Sequence, residues 1–401
     1  MTVMPPDARP DPAPGALPEP GAPMVHYVSS AAFDPQSVER AASSAMAEAS
    51  QFKLMWWRFK RHRLALISGV FLVIIYASTL ISEFLAPYHL HTRNVDAIYA
   101  PPQSVRIFRE GALVAPYVYG RTMALDMDTL RRVYTDNPAD VQPLRFFCRG
   151  DDYVFWGLVP GNLHLVCPAE GGQLYLLGTD RLGRDNLSRI IYGARISLTI
   201  GIFGVAMSFV LGIVIGGLAG YHGGWFDMAV QRVTEVLQSI PSIPLWMALA
   251  AIIPVTWSPL LVYLGITVIL AMLDWTGLAR AVRSKLLALR EEDYVLAAQL
   301  MGAKPRRIIG RHLVPGFMSH LIASATLAIP GMILGETALS FLGIGLRAPT
   351  TSWGILLTEA RGVSVIALYP WLLMPVLPVV LVVLAFNFLG DGLRDAADPH
   401  K

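Results

Sequence analysis

Residues that could carry out covalent chemistry are scattered along this 401-residue chain rather than grouped. The histidines do not fall at the spacings of a metal-binding motif; they are His26, His62, His89, His91, His164, His222, His312, His320 and His400. The sequence also contains no Gly-x-x-x-x-Gly-Lys-[Ser/Thr] phosphate loop, and no His-Glu-x-x-His zinc motif or Gly-x-Ser-x-Gly nucleophile elbow. We therefore expect no catalytic residue, no bound metal and no cofactor, which argues against an enzyme.

Four polar side chains in or near long apolar segments could instead act on a passing solute. They are Glu235, Gln238, Asp274 and Glu336. An ionisable group inside a membrane span is costly and usually faces protein or water, so Glu235, Gln238 and Glu336 are candidates for lining a translocation pathway. The simpler alternative, that such groups tie helices together or hold a helix end, stays open. Asp274 beside Trp275 is typical of a membrane interface.

The elements that must position these groups are long apolar helices. Hydrophobic residues make up 54% of the chain and charged residues only 15%, against about 25% charged in an ordinary soluble domain. A bilayer core needs roughly 20 apolar residues per helix, and six segments are long enough: 64–85, 196–221, 228–253, 259–278, 317–339 and 371–389. We therefore predict an all-α integral membrane protein with six transmembrane helices, the third and fourth joined by the turn that Pro254 and Pro259 bracket.

Basic residues on the short loops indicate the orientation, because cytoplasmic loops carry an excess of Lys and Arg. One basic cluster precedes the first helix, between Lys53 and Arg63, and a second fills the loop 280–315. The turn between the third and fourth helices carries no formal charge. We therefore expect a multi-pass protein of the bacterial inner (plasma) membrane, in contact with lipid, with both termini and the loop 280–315 in the cytoplasm.

The segment 86–189 should then lie outside, as a small folded module of mixed structure between the first and second helices. Runs at 153–156 and 174–177 favour short strands between turns. Both cysteines of the chain, Cys148 and Cys167, fall in this segment. Disulfides persist outside the cytosol and are rare within it, so we predict a bridge between them; two buried free thiols are the alternative.

The N-terminal residues 1–50 are rich in Pro and Ala, which predicts a disordered cytoplasmic tail rather than a signal peptide. The next part, 51–85, combines the first span with a short aromatic and basic stretch before it. That stretch is typical of a helix lying along the inner membrane surface, and equally of a simple basic, aromatic border to the first span. Residues 190–401 hold the remaining five helices.

The second predicted helix follows a motif of glycines, acids and arginines. Glycine allows tight turns and Asp can cap a helix; the motif residues are Gly178, Thr179, Asp180, Gly183, Arg184 and Asp185. The string resembles the Gly-Thr-Asp-x-x-Gly-Arg-Asp signature of the second permease subunit of ABC importers in the oligopeptide/dipeptide/nickel family. Segments 335–354 and 390–399 resemble that family's fifth-helix and C-terminal segments. The resemblance covers 58–63 and then residue 178 to the end.

The loop 280–315 resembles the EAA loop of that family, in which a short cytosolic helix docks on the ATPase that drives transport. The residues that this resemblance places in ATPase coupling are Ala297, Ala298, Gln299, Leu300, Met301, Gly302, Arg306, Arg307, Arg311 and Pro315. Small alanines would let the helix pack in a groove, and Gly302 would end it. Leu296 departs from the family pattern, since Glu is usual there. An ordinary basic cytoplasmic loop is the alternative.

The resemblance implies a transport subunit without its own ATPase site. Its partners would be a homologous permease subunit forming a heterodimer, two ATPase subunits and an external substrate-binding protein, with no nucleic acid. The cargo would be peptides or similar small solutes. An ion-coupled secondary transporter is the alternative function; it would favour repeated halves with broken helices and a midplane acid, and the basic loop would have no explanation.

Overall fold

The computed structural model describes residues 51–397 of the protein, and the side chains of residues 55–397. The tail predicted over residues 1–50 and the C-terminal pair Asp398-Pro399 lie outside the described residues. Residues 55–397 belong to one compact unit. That unit contains a bundle of long helices and a separate β module.

Helices make up most of the described chain. The first are α1 (Gln51–Arg61), α2 (Arg63–Leu80) and α3 (Ser82–Leu85). After the β module come α4 (Asn186–His222), α5 (Gly224–Ser239), α6 (Ser242–Ala250) and α7 (Pro259–Leu289). The last part holds α8 (Asp293–Leu300), α9 (Pro305–Arg307), α10 (Met318–Phe341), α11 (Trp353–Glu359), α12 (Val363–Leu368) and α13 (Val376–Ala397).

Among residues 51–397, five stretches are long and apolar enough to cross a membrane: Arg63–Leu80, Asn186–His222, Pro259–Leu289, Pro305–Phe341 and Pro370–Ala397. The predicted third span, 228–253, is not one continuous helix, because it divides into α5 and α6 at Ile240. Proline lacks a backbone N–H and forces the residue before it towards extended backbone. Ile240, which precedes Pro241, accordingly has φ −93° and ψ 130°.

Helices α4 and α7 lie side by side and run in the same direction. Gly216 of α4 faces Ala279 of α7, and one turn later Gly220 faces Arg283. A Cβ added at Gly216 would overlap the carbonyl oxygen of Ala279, so only glycine lets the two backbones approach this closely. Small residues repeated every four positions are typical of helix pairs in membranes.

This parallel pair gives the bundle two distinct ends. We call the end where α4 begins, next to the β module, the sheet end, and the end where α4 and α7 finish the loop end. Helix α5 runs antiparallel to α7: Asp227 pairs with Arg283 near the loop end, and Gln238 donates to Thr276 farther along, at 2.9 Å. The chain between α4 and α7 therefore travels from the loop end back towards the sheet end.

Two of the clusters of buried apolar side chains that hold the bundle together include buried residues of α4. One cluster joins α2, α4, α10, α11 and α13 through Leu72, Leu198, Ile333, Trp353 and Phe386, among others. The other joins α4, α6, α7 and α10 and includes Ile200, Ile266, Leu270, Met332 and Leu339. Helix α4 contributes to both clusters and therefore lies at the centre of the bundle. The motif that precedes α4 leads directly into this central helix.

The module between α3 and α4 contains a 3-10 turn at Val95–Ala97 followed by two antiparallel β structures. Strands β1 (Arg106–Arg109), β2 (Ala112–Asp126) and β3 (Arg131–Pro143) form one sheet, with β2 in the centre. Strands β4 (Arg145–Phe155) and β5 (Val159–Cys167) form a separate hairpin. A disulfide joins Cys148 to Cys167 across this hairpin, with an S–S distance of 2.05 Å.

The two short strands predicted for this module fare differently. The run at 153–156 coincides with the end of β4, which finishes at Phe155. The run at 174–177 forms no strand. There the backbone of Tyr175 is satisfied by Gln103 instead, whose own backbone N–H donates to the Tyr175 carbonyl oxygen at 2.9 Å and whose side-chain oxygen accepts from the Tyr175 N–H at 2.5 Å.

Candidate coupling site

The chain that leaves α7 at the loop end folds into a short helix and a sharp turn. Helix α8 finishes at Leu300, and the N–H of Met301 closes its last turn on Ala297. Gly302 follows with a φ of +78°, the left-handed conformation in which glycine commonly ends a helix. Helix α9 and a π-helical stretch, Ile308–Leu313, then lead into α10.

One face of α8 packs against the protein itself. Val295 and Ala298 are 0% and 3% exposed, and they share a buried cluster with Leu286 of α7 and with Ile308 and Leu313 of the π-helical stretch. This packing holds α8 firmly on the bundle. Ala298 follows Val295 inward, because residues three apart lie on the same helix face; a role for Ala298 in coupling stays a prediction.

The opposite face of α8 is apolar and exposed. Leu300 and Met301 are 90% and 81% exposed, and Leu296 is 44% exposed; we call these three residues the coupling face. Ala297 and Gln299 beside them are exposed as well. An exposed cluster of large apolar side chains marks an interaction site. The loop end therefore presents a contact surface that the described chain leaves uncovered.

Basic side chains adjoin the coupling face. Arg306, Arg307 and Arg311 are all exposed, and none of them forms an ion pair with any residue in 51–397. Pro315 is also exposed, in the 3-10 turn that precedes α10. The site thus combines an apolar centre with positive charge around it, a composition suited to a protein surface that supplies a groove and acidic or carbonyl oxygens.

The motif before α4, at the sheet end, has the opposite character. Asp180 is fully buried and accepts from Arg184 Nε at 2.6 Å and from Arg189 Nη1 at 2.5 Å. Arg189 in turn forms two hydrogen bonds with Glu359 of α11, at 2.8 and 3.0 Å. Arg184 adds a third bond to Glu359 at 3.1 Å. This four-residue network closes on the chain's own residues.

The glycines of the same motif lie where another backbone comes close. Gly183 has a φ of +72°, and a Cβ there would overlap the carbonyl oxygen of Asn94. Gly178 has a φ of +69°, and a Cβ there would lie 2.7 Å from the carbonyl oxygen of Ala100 and from the ring of Trp371. Thr179 is buried between them and accepts from the Ala100 N–H at 2.7 Å. The motif therefore binds the start of the β module to α4.

Asp185 caps α4, as the sequence predicts for an acid at this position. Its carboxylate accepts from the Ser188 N–H at 2.7 Å and from the Ser188 hydroxyl at 2.6 Å, which satisfies one of the free N–H groups at the start of the helix. Burial raises the pKa of Asp185 to about 6, although the hydrogen bonds from Ser188 act in the other direction.

Comparison with known proteins places the chain in a family. Residues 212–401 match the family model described as binding-protein-dependent transport system inner membrane component, and residues 50–102 match the N-terminal TM domain of oligopeptide transport permease C. The dipeptide transport system permease protein of Alkalihalophilus pseudofirmus is 41% identical over 223 residues, which cover 55% of this chain and 71% of that protein. The chain belongs to this permease family.

Two further likenesses complete the comparison for this permease. The glutathione transport system permease protein of Pectobacterium atrosepticum is 42% identical over 223 residues, 56% of this chain and 72% of that protein. The inward-facing structure of the MetNI methionine ABC transporter covers 52% of this chain and 97% of its own, with 19% identity and a TM-score of 0.39, too weak a likeness to support an argument. The family is one of multi-pass inner-membrane components that work with an ATPase and a substrate-binding protein.

The polar groups predicted to line a pathway do not come together in this permease. Glu336 of α10 is fully buried and accepts hydrogen bonds from Ser197, Ser340 and Ser352 at 3.1, 2.8 and 2.7 Å. Three hydroxyl donors from α4, α10 and the start of α11 satisfy the carboxyl group, which favours the alternative that Glu336 ties helices together. A role for Glu336 in the pathway stays a prediction.

Glu235 and Gln238 lie together on α5, away from Glu336. Both are exposed; Glu235 pairs with Arg232 on its own helix at 2.8 Å, and Gln238 bonds to α7 through Thr276 and Arg280. The Glu235–Arg232 pair lies within one exposed face of α5 and does not join that helix to another. Glu235 and Gln238 are thus exposed, whereas Glu336 is fully buried.

Sequence reasoning missed a second polar junction of this permease, at the sheet end. Arg195 of α4 forms two hydrogen bonds with Glu83 of α3, at 2.9 and 2.6 Å, and also donates to Ser82. Burial would raise the pKa of Glu83, but the hydrogen bonds and positive charge of Arg195 outweigh that effect and hold the pKa below its ordinary value. The available signal was Arg195 itself, at the edge of an apolar helix. A charged side chain there is costly unless it has a partner.

Proposed function

We propose that this chain is a membrane subunit of an ATP-driven importer for peptides or similar small solutes, with no ATPase or other enzyme activity of its own. Family membership supports the transport role. The relatives named for dipeptide and glutathione transport support small peptides as cargo. The coupling face supports an ATPase as the source of energy.

The exposure of Leu300 and Met301 is the observation that carries the proposal. A large apolar side chain gains about 1.5–3 kcal/mol when it is fully buried, and these two remain in solvent within the described chain. Their inner neighbours Val295 and Ala298 hold α8 rigidly on α7 and the π-helical stretch. Movement of an ATPase seated on the coupling face would therefore be transmitted to α7 and α10.

We also propose six membrane crossings, of which α5 and α6 together form the third. Because α4 and α7 run parallel, the chain between them must return from the loop end to the sheet end, and the contacts of α5 along α7 follow that course. Six crossings place both termini on the loop-end side, which the positive charge of that side assigns to the cytoplasm. The organisation into a tail (1–50), a first span with its preceding segment (51–85), an external module (86–189) and a five-helix core (190–401) follows.

The passage for the solute would form between this subunit and a related permease, with two ATPase subunits beneath and a binding protein delivering cargo at the sheet end. Exposed Glu235 and Gln238 on α5 are the polar groups best placed to face such a passage, since Glu336 is enclosed by serines. In a Glu235→Cys variant, a charged thiol reagent should then block uptake. Unchanged uptake after complete modification would place α5 away from the passage.

The overall proposal is tested by transport in proteoliposomes that contain this chain, the second permease and the ATPase subunits, with the binding protein outside. A radiolabelled dipeptide should accumulate only when ATP is enclosed in the lumen, and a protonophore should not prevent it. Accumulation driven by a proton gradient without ATP would contradict the proposal and favour a secondary transporter.

A further inference from the structure

The β4–β5 hairpin touches the bundle at the level where the first membrane span ends. Trp156 lies in the hairpin turn, and its indole N–H donates to the carbonyl oxygen of Leu80, the last residue of α2, at 3.0 Å. The guanidinium of Arg195 lies 4.1 Å from the centre of the same ring, and Arg195 is paired with Glu83. The hairpin turn is thereby fixed at the sheet end, level with the end of a span.

The hairpin exposes apolar side chains near its turn and also at its open end, where Phe146 pairs with Val166. Their exposed fractions are 82% for Leu158, 68% for Phe147, 59% for Val159, 54% for Val154 and 51% for Phe146. The ring of Phe147 also meets Phe84 of α3, with 6.1 Å between centroids. This apolar surface therefore continues directly from the exposed end of the first span, where Leu80 itself is 56% exposed.

Charge distinguishes the turn of this hairpin from the β2–β3 turn. The stretch 153–169 carries no formal charge, whereas the turn between β2 and β3 sets its exposed Met127 and Leu130 among Asp126, Asp128, Arg131 and Arg132. A water-facing turn is expected to carry charge as the β2–β3 turn does. A charge-free turn with a Trp at the end of a span is typical of the membrane interface, where Trp residues concentrate.

A basic side chain completes the match to a lipid surface. Arg149 of β4 is exposed, and it forms no ion pair within the part of the chain that the structure describes. It stands two residues from the exposed Phe147, so that an apolar and a cationic group lie close together. Phospholipid offers the complementary pair, an acyl chain beside an anionic phosphate.

We propose that the turn of the β4–β5 hairpin lies in the interfacial layer of the bilayer leaflet at the sheet end, with phospholipid covering Leu158, Phe147 and their apolar neighbours. The disulfide between Cys148 and Cys167 holds the two strands together, and the contact of Trp156 with Leu80 and Arg195 fixes the depth of the turn. The inference requires only that α2 spans a membrane, so it can fail without affecting the transport role.

Depth-dependent quenching of a fluorophore tests this placement. Both cysteines of the chain are in the disulfide, so Leu158→Cys supplies a single thiol for an environment-sensitive dye. The full chain is reconstituted in phosphatidylethanolamine and phosphatidylglycerol vesicles that contain lipid spin-labelled near the headgroup. Because Leu158 is 82% exposed, the change does not disturb packing. Met127→Cys, on the charged β2–β3 turn, is the matched control.

The dye at position 158 should be quenched at least about twofold more strongly than the dye at position 127, because the proposal puts only position 158 in the interfacial layer. An interfacial segment lies only about 5–10 Å into the boundary. Spin labels placed deep in the acyl chains should quench it less than labels near the headgroup. Equal quenching at 158 and 127 would overturn the proposal. So would protection of position 158 by the second permease or the binding protein without any quenching by lipid, since a protein would then cover the hairpin.

Discussion

The two motifs of this permease lie at opposite ends of the bundle and differ in burial and bonding. At the sheet end, Asp180 and Arg189 are buried and bonded to each other and to Glu359. At the loop end, Leu300 and Met301 stand in solvent with no covering from the described chain. The sheet-end motif forms its ion pairs within the chain and so serves the fold, whereas the loop end leaves an apolar surface open, as a docking site for a partner would.

Two glycines, one at each end of the bundle, show the same difference between a packed and an open site. Gly183 and Gly302 both have φ between +70° and +80°, so each takes a backbone conformation that favours glycine. A side chain at Gly183 would overlap the backbone of Asn94, whereas a Cβ at Gly302 would meet nothing within 4 Å. The first glycine is required by close packing, and the second only by the turn.

The largest effect is expected from Asp180→Ala. The change would leave Arg184 and Arg189 short of a partner in a buried site, and breaking a buried ion pair in this way costs about 3–5 kcal/mol. The yield of monodisperse protein in detergent and its thermal midpoint should both fall sharply. Arg181→Ala, at an exposed position of the same motif, should stay within about 0.5 kcal/mol of the parent. Equal stability of the two variants would show that the network does not hold the fold.

The next effect separates the two glycines. Gly183→Ala adds a steric overlap worth about 1–3 kcal/mol to the cost of a left-handed backbone, about 1–2 kcal/mol. Gly302→Ala carries only the cost of the left-handed backbone, because the space around Gly302 is open. Thermal unfolding of the two variants in the same detergent should therefore rank Gly183→Ala clearly below Gly302→Ala. The reverse ranking would remove the distinction between a packed and an open turn.

A smaller effect, on binding rather than folding, is expected from Leu300→Ser. Docking of the ATPase would bury the Leu300 side chain, so its loss should weaken docking by about 1.5–3 kcal/mol. This corresponds to roughly a 10- to 100-fold rise in Kd. The stability of the isolated subunit should change by no more than about 0.5 kcal/mol, since the position is exposed. Met127→Ser, a comparable exposed position on the β2–β3 turn, should leave docking unchanged. The two variants can be compared by titrating the purified ATPase subunits, and equal Kd values would contradict the assignment.

The smallest effect concerns pH. Burial raises the pKa of Asp185 to about 6, so between about pH 4 and 6 the folded protein holds a proton that the unfolded chain has released. The contribution of this group to stability therefore falls as pH rises through that window. Asp185→Asn keeps an acceptor for the Ser188 N–H and should flatten this part of the pH profile of the thermal midpoint. An unchanged slope in the variant would show that Asp185 is not its source.

Local patterns predicted much of this molecule, and distant contacts explain what they missed. Apolar length located five spans, and Gly302 marked the end of α8, because both signals lie within a few residues. Glu359 could not be assigned to the network, since 170 residues separate it from Arg189. The inward packing of Ala298 likewise depends on Ile308 and Leu313, which a pattern within α8 does not include. Pro241 indicated the break at Ile240, but the long apolar run around it led to the prediction of one continuous span, 228–253.

The central claim, that the coupling face is the seat of the ATPase, can be tested by the accessibility of a single thiol. In Leu300→Cys, introduced into a chain whose two cysteines are bridged, a maleimide should react rapidly in membranes that hold the permease alone. Addition of the ATPase subunits should slow that reaction severalfold and leave a Met127→Cys control unaffected. A labelling rate at position 300 that the ATPase does not change would contradict the account.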